Sequence, residues 1–224
     1  MNQPLKINLT NELLELENFI IHRSCDIEQW FRIQWLENQA PFYGSVDLRN
    51  SGFKLAPVDM NLFPGGFNNL NPDFAPLAVQ AASVAIEKVC PEAKKVLIIP
   101  EKHTRNLFYL KNLFQFKEIL KNSGLEVRIG TVDSNILEAT DILIDDHQSI
   151  TLEPIQRRDD ILYIKDRDGT EFVPCSVILN NDLSGGVPEK IKDIGQQIIP
   201  PINAGWPTRR KSSHFLYYSQ VARE

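Results

Sequence analysis

The sequence has few cysteines and no long apolar run. Its three cysteines, Cys25, Cys90 and Cys175, are widely spaced and form no Cys-x-x-Cys pair. This spacing argues against a disulfide framework and favours incidental thiols in a reducing cytoplasm. No apolar segment approaches the roughly 20 residues that a membrane-spanning helix needs, and the first four residues show no secretory signal. We therefore expect a cytoplasmic protein without a membrane partner.

Several common catalytic motifs are also missing. The chain has no Gly-x-Ser-x-Gly elbow of a serine hydrolase. It has neither a Gly-x-x-x-x-Gly-Lys-Ser/Thr phosphate loop nor a Gly-x-Gly-x-x-Gly dinucleotide fingerprint. His103 has no partners at the spacing of metal ligands, and so we predict no metal site.

The chain does have an ordinary globular composition. It has 224 residues, of which 42% are hydrophobic and 24% are charged. At about 150 residues per domain, this length predicts one large domain or two small ones. Its 24 Lys and Arg against 29 Asp and Glu give a formal net charge of −5. This charge disfavours binding along a nucleic-acid backbone, and so we expect no nucleic-acid partner and only a local anion site.

The N-terminal third combines two helices with a region that breaks regular structure. Apolar spacing predicts a first helix capped by Thr10 and a second helix capped by Asp26, which contains Trp30 and Trp35. Aromatic side chains at this spacing are typical of core or interface positions. The prolines, glycines and asparagines of residues 40–76 then predict a long irregular stretch with a single strand, at 45–49. Loops of such length are usually functional or disordered, and the apolar residues within it argue against disorder.

The pattern beyond residue 93 is typical of an α/β fold. The predicted elements are strands at 95–100, 125–130, 141–146 and 176–180, a helix at 104–122, and a hairpin at 161–173 that turns at Asp168-Gly169. A continuous apolar first strand is typical of a parallel sheet that is covered on both faces. The fold class is therefore α/β with a parallel sheet.

Polar clusters follow two of the predicted core strands. Residues 101–106 open a helix, where free backbone N–H groups and Arg105 favour a carboxylate or a phosphate. Residues 180–184 supply Asn181 and further amide groups. Because ligands bind beyond the carboxyl ends of parallel strands, both clusters are candidate site elements. Helix capping for the first and turn geometry for the second stay open as alternatives.

Several long blocks, in one order, resemble a known family. These blocks are FYGSVDLRN at 42–50, KLAPVD at 54–59, NLFPGGFNNL at 61–70, PEKHTRN at 100–106, LNNDLS at 179–184 and RRKSSHF at 209–215. They closely resemble the proteobacterial glutamate-cysteine ligase family, which is related to ATP-grasp enzymes such as glutathione synthetase. The resemblance spans nearly the whole chain.

The resemblance implies a ligase of glutathione biosynthesis that uses ATP and Mg²⁺. In that chemistry a glutamate side-chain carboxylate becomes an acyl phosphate, and the cysteine amine displaces the phosphate. The resemblance also implies a Rossmann-like parallel-sheet domain of the pre-ATP-grasp type. We accordingly predict an N-terminal helical and substrate-loop region at 1–92, an α/β domain at 93–200 and the start of an ATP-grasp domain at 201–224.

The resemblance leaves the catalytic residues unknown but supports a set of binding candidates. The substrate candidates are Arg49, Lys54, Asp59, Asn61, Arg105 and Asn181, and the phosphate candidates are Arg209, Arg210 and Lys211. In this prediction Arg49 and Lys54 hold a substrate carboxylate, and Asp59 and Asn61 belong to the substrate loop.

Family members continue well beyond residue 224. The resemblance therefore implies a truncated ligase that binds glutamate and cysteine, holds ATP and Mg²⁺ mainly through a further C-terminal part, and is inactive alone. Two alternatives stay open: a noncatalytic small-molecule-binding or interaction module on the same scaffold, and a nucleic-acid role for residues 209–211. The oligomeric state is also open, with a homo-oligomer as one alternative.

Overall fold

The structure is a computed structural model that describes residues 13–51, 55–102, 106–205, 207–208, 210–221 and 223. In chain order its helices and strands are α1 (Leu13–His22), α2 (Ser24–Glu37), β1 (Ser45–Asn50), β2 (Leu55–Asn61), α3 (Ala75–Val89), β3 (Lys95–Pro100), α4 (Leu107–Asn122), β4 (Glu126–Thr131), β5 (Thr140–Leu143), β6 (Ser149–Pro154), β7 (Gln156–Arg158), β8 (Ile161–Lys165), β9 (Glu171–Phe172), β10 (Ser176–Asn180), β11 (Gln197–Ile199) and α5 (Lys211–Val221). None of the described helices is long and apolar enough to cross a membrane.

The chain divides into two compact units. Unit 1 comprises Met1–Asn61 and Arg210–Glu224, and unit 2 comprises Leu62–Arg209. The C-terminal helix α5 belongs to unit 1 and contacts β2, where Lys211 Nζ lies 3.1 Å from Asp59 Oδ2. The predicted segments 1–92, 93–200 and 201–224 follow other boundaries and stay a prediction about domains, since a compact unit and a domain are not the same thing.

Unit 1 contains the two predicted N-terminal helices and a β-hairpin. Helix α2 begins at Ser24, so Asp26 lies in its first turn, where its carboxylate accepts a hydrogen bond from Arg23 (3.0 Å) instead of capping the helix. Strand β1 pairs antiparallel with β2. The prediction that this stretch is irregular is wrong for residues 55–61, which form β2. The strand was missed because Pro57 weakens the strand signal in the sequence. Proline is tolerated here because both strands of a two-stranded sheet are edge strands.

None of the unit 1 residues 14–51, 55–61, 210–221 and 223 is buried. Helices α1 and α2 expose nine large apolar side chains, which we name the α1–α2 apolar surface: Leu14, Phe19, Ile20, Ile21, Trp30, Phe31, Ile33, Trp35 and Leu36. Trp30 and Trp35 are therefore not core residues of this chain, and that part of the prediction is wrong. The interface part stays a prediction.

Unit 2 contains the hydrophobic core. Strands β11, β10, β3, β4 and β6 lie side by side in that order and run parallel, and β5 pairs antiparallel with β6 at the edge. All residues of β10 are buried, as are the last five residues of β3. A smaller antiparallel sheet has the order β7-β8-β9. The predicted α/β class with a mostly parallel sheet is confirmed.

The two faces of the large sheet carry different layers. Leu97 and Leu179 pack in a buried cluster with Leu162 on β8 and Phe172 on β9. Helix α4 packs against β4 and α3. It begins at Leu107, because the Asn106 side chain caps it by accepting hydrogen bonds from the backbone N–H groups of Phe108 and Tyr109.

A charged network centred on Arg128 connects three elements of unit 2. The Arg128 guanidinium donates to Glu153 at 3.3 Å and to both oxygens of Asp166 at 2.5 and 3.0 Å. It also lies over the ring of Phe172, 4.8 Å from the ring centroid. The hydrogen bonds from Arg128 lower the pKa of Asp166, whereas burial raises the pKa of Glu153. The network thus connects β4, β6 and the β8–β9 hairpin.

Candidate functional site

The topology of the large sheet defines one crevice. From β3 the chain passes through α4 to β4 on one side, whereas β10 lies on the other side of β3. Connections therefore leave β3 and β10 in opposite directions, and ligands bind at such a switch point, beyond the carboxyl ends of the strands. The two strands end together, because Asn180 pairs in register with Pro100.

A cavity of about 510 Å³ lies at this switch point. Its lining comes from the segments that follow β3, β4 and β10, namely Glu101, Lys102, Val132, Asn181, Ser184, Gly185, Gly186, Val187, Pro188, Glu189 and Lys190. The volume is in the range of small-molecule sites, about 300–1,000 Å³. We name this cavity the switch-point cleft.

The charges of the switch-point cleft are balanced, with two lysines and two glutamates in its lining. Glu189 pairs with Lys192 at 2.5 Å, and Lys190 Nζ donates to the carbonyl of Ile155 at 3.0 Å. Lys102 makes no ion pair with a described residue. A lining of this kind suits a ligand that carries one charge of each sign better than a polyanion, which requires a surplus of cations.

Tyr109 connects the two strand ends that border the cleft. Its hydroxyl accepts a hydrogen bond from the backbone N–H of Glu101 (2.8 Å) and donates one to the carbonyl of Asn180 (3.1 Å). Burial raises the pKa of Tyr109, so the hydroxyl keeps the proton that it donates. The edges of the crevice are therefore held at a fixed separation before any ligand binds.

Two asparagines hold residues 64–67 against the same end of the sheet. The side-chain amide of Asn180 donates to the carbonyl of Pro64, and the Asn112 side chain accepts from the backbone N–H of Phe67 (2.9 Å). The Phe67 ring stacks on Phe116 with centroids 4.6 Å apart. Asn180 is 3% exposed, and its Oδ1 has no hydrogen-bond partner among the described residues. Buried acceptors are normally paired, which makes this one unusual.

Sequence reasoning placed residues 180–184 at the site but missed Tyr109 and Asn112. Both side chains project from α4, and the residues that they contact lie far away in sequence. The signal that could have found Asn112 is a polar residue between Leu110 and Leu113 on a buried helix face, since a buried amide needs hydrogen-bond partners.

Among the predicted binding residues, the structure places Asn181 in the lining of the switch-point cleft. Its Oδ1 accepts a hydrogen bond from Leu183 N at 2.8 Å. No described residue accepts from its Nδ2, which leaves that donor for a ligand. Lys54, Arg105 and Arg209, together with His103, lie outside the described residues.

The other predicted binding residues belong to unit 1. Arg49 is exposed on β1, and Arg210 is exposed before α5. Asp59 and Asn61 lie on β2 and not in a loop, which corrects that prediction. Lys211 and Asp59, which were assigned to phosphate and substrate, form an ion pair with each other. The structure thus brings together one predicted phosphate ligand, Lys211, and one predicted substrate ligand, Asp59.

The sequence was also compared with known protein families. Residues 17–224 match the model of a family described as GshA, glutamate-cysteine ligase. The chain belongs to the glutamate-cysteine ligase family. A search of curated proteins found no match.

One solved structure is similar to the present chain. It is a crystal structure of a protein from Methylobacillus flagellatus KT named "Putative gamma-glutamylcysteine synthetase", with 54% sequence identity and a TM-score of 0.84. The similarity covers 99% of the present chain and 51% of the Methylobacillus chain. The present chain thus spans about half the length of that protein.

The resemblance implies ATP and Mg²⁺, and the lining of the switch-point cleft fits neither of them. In the part of the chain that the structure describes, no group of three or more His, Cys, Asp or Glu side chains could hold a metal ion. The balanced charge of the switch-point cleft does not suit a triphosphate. The backbone N–H of Gly186 donates to the carbonyl of Leu183, which removes one donor that a phosphate would use.

Proposed function

We propose that this family member acts in glutamate–cysteine ligation, in which the side-chain carboxylate of glutamate and the amine of cysteine form a peptide bond in glutathione biosynthesis. The observation that carries this proposal is the family match over residues 17–224. The name of the Methylobacillus protein supports it. Within this function, the chain contributes a site for an amino-acid substrate.

The switch-point cleft is the proposed amino-acid site. A free amino acid carries an ammonium and a carboxylate, which match the paired signs of charge in the cleft lining. Lys102 would bind a carboxylate by a charge-assisted hydrogen bond, and Asn181 Nδ2 would donate a second one. Glu101 would accept from the ammonium. Because Tyr109 already fixes the strand ends, these groups need little rearrangement to bind.

ATP and Mg²⁺ belong to the same proposal as the source of the energy for peptide-bond formation. Since the switch-point cleft fits neither group, we place them mainly outside the described residues and derive no step through them. We further propose a cytoplasmic location. The residues in unit 1 that were predicted to bind substrate or phosphate, Arg49, Asp59, Asn61, Arg210 and Lys211, stay candidates.

Titration calorimetry with L-glutamate, L-cysteine and ATP, each added separately to the 224-residue chain, tests the cleft. We expect one amino acid to bind and Lys102→Ala or Asn181→Ala to weaken its binding about tenfold, which corresponds to about 1.4 kcal/mol. Lys88→Ala is the matched control, because Lys88 is an exposed lysine on α3. The cleft assignment would be contradicted if neither amino acid binds, or if Lys102→Ala and Lys88→Ala weaken binding equally.

An activity measurement separates the ligase from the noncatalytic alternative. We expect no γ-glutamylcysteine from the 224-residue chain with glutamate, cysteine, ATP and Mg²⁺, because the chain spans about half of the Methylobacillus protein and its switch-point cleft does not suit a triphosphate. Turnover by this chain alone would contradict that expectation. If the amino acid binds but the present chain forms no product when it is joined to the unmatched half of the Methylobacillus protein, the binding-module alternative replaces the ligase.

A further inference from the structure

The α1–α2 apolar surface lacks the cover that such a surface normally has. Its nine exposed side chains together offer on the order of 1,000 Å² of apolar area, spread over two consecutive helices. The exposed fractions reach 53% for Trp35 and 87% for Leu36. A specific interface takes about 800 Å² from each partner, so the area is large enough for a stable contact.

The apolar residues of α2 are distributed around the whole helix. At 100° per residue, Trp30, Phe31, Ile33, Trp35 and Leu36 point in directions that cover the full circumference. Polar side chains such as Glu28, Arg32 and Gln34 lie between them, so the apolar residues do not form a single stripe. One flat partner surface would leave some of these apolar side chains exposed, and so we infer a cover that reaches the helix from more than one side.

The charge of the two helices disfavours a second copy of this chain as the cover. Residues 13–37 contain five acidic side chains and two arginines. Both arginines form ion pairs within the helices, Arg23 with Asp26 at 3.0 Å and Arg32 with Glu28 at 3.9 Å. A symmetric contact would therefore bring two acidic surfaces together, which costs free energy. The complementary partner is apolar and basic.

The length of the related structure indicates where such a partner comes from. The Methylobacillus chain matches 99% of the present chain with only 51% of its own length, so it carries about as many residues again. We propose that the α1–α2 apolar surface is the docking surface for the half of a full-length glutamate-cysteine ligase that this chain does not match. Unit 1 then forms one part of a core whose other part is that second half. This inference rests on family membership and not on the proposed activity.

A chimera tests this inference with a complete chain. In it, the present chain replaces the matching half of the Methylobacillus protein, a replacement that 54% identity and a TM-score of 0.84 favour. Amide hydrogen exchange in α1 and α2 is compared between the chimera and the 224-residue chain. We expect exchange in both helices to be slowed at least about 100-fold in the chimera, because buried helices open less often. The native Methylobacillus protein, measured in parallel, gives the same readout if the chimera does not fold.

Two leucines provide a matched pair of variants in the chimera. Leu36 on α2 and Leu137 in unit 2 are 87% and 85% exposed in the present chain. We expect Leu36→Glu to abolish most of the added protection and Leu137→Glu to leave it unchanged. Light scattering on the 224-residue chain measures its mass. Unchanged exchange in α1 and α2 would overturn the inference, as would equal effects of the two variants, or a dimer of the present chain that protects both helices.

Discussion

The two units of this chain place their apolar residues in opposite ways. In unit 2, Leu97 and Leu179 are fully buried between layers that belong to the same unit. In unit 1, Trp35 and Leu36 lie on a regular helix and still face solvent. The difference teaches that a helix with enough apolar residues is not yet part of a core. A core requires a second layer that packs on the apolar face, and of the two units only unit 2 has such a layer among its described residues.

Two alanine substitutions give the largest expected difference between the units. Leu97→Ala removes a fully buried side chain, and we expect it to lower the free energy of unfolding by about 2–5 kcal/mol. Leu36→Ala removes a side chain that is 87% exposed, and we expect a change within about 0.5 kcal/mol. Urea denaturation of both variants measures the difference. Similar losses for the two would show that Leu36 is covered in the 224-residue chain.

A glycine in the core of unit 2 should tolerate no side chain. A Cβ at Gly130 would overlap the side chain of Ile155 and lie 3.0 Å from Leu97. We expect Gly130→Ala to cost about 1–3 kcal/mol, because both neighbours must move in a close-packed interior. Gly185→Ala is the control, since a Cβ there meets no atom within 4 Å. Thermal unfolding compares the two, and a neutral Gly130→Ala would show a looser core than the structure has.

The Arg128 network should make the free energy of unfolding of unit 2 depend on pH in the acidic range. The hydrogen bonds from Arg128 lower the pKa of Asp166 below its ordinary value of 3.8. Charged Asp166 therefore stabilises the fold above about pH 3.8, and this contribution is lost as the pH falls through the lower folded-state value. We expect Asp166→Asn to be less stable than the wild type near neutral pH, by less than either core substitution above, with a difference that closes in acid.

Urea midpoints between pH 2 and pH 7 measure this difference. The control is Asp146→Asn, because Asp146 is an exposed acid that forms no ion pair with a described residue. A gap between the wild type and Asp166→Asn that stays constant over this range would contradict the role of the Arg128 pair.

The smallest effect is expected in unit 1, for the ion pair that groups α5 with the hairpin. Lys211 Nζ lies 3.1 Å from Asp59 Oδ2, and the lysine side chain is 57% exposed. Exposed pairs contribute about 0–1 kcal/mol, so we expect a coupling below about 1 kcal/mol from the cycle Lys211→Ala, Asp59→Ala and the double variant. A coupling above about 2 kcal/mol would show that unit 1 depends on this pair.

Local patterns predicted much of unit 2. The apolar run of β3, the helix after it and β4 follow one another with the right periods, and the fold class follows from them. Asn181 follows β10 directly and lines the switch-point cleft, because the carboxyl ends of parallel strands meet at one edge of the sheet. Its role as a substrate ligand stays a prediction. Strand β2 was missed, since Pro57 conceals it.

By itself, the sequence predicted helices α1, α2 and α4, the three adjacent parallel strands β10, β3 and β4, and the family, because these depend on periodicity and on residues that are neighbours along the chain. The parallel strands β6 and β11 were not predicted. Only the tertiary structure decided which of the elements form a core and which atoms meet at the switch point. Tyr109 reaches Asn180 across 71 positions, and Asn180 reaches Pro64 across 116. Contacts of that separation depend on how layers stack, and so the same kind of apolar helix is buried in unit 2 and exposed in unit 1.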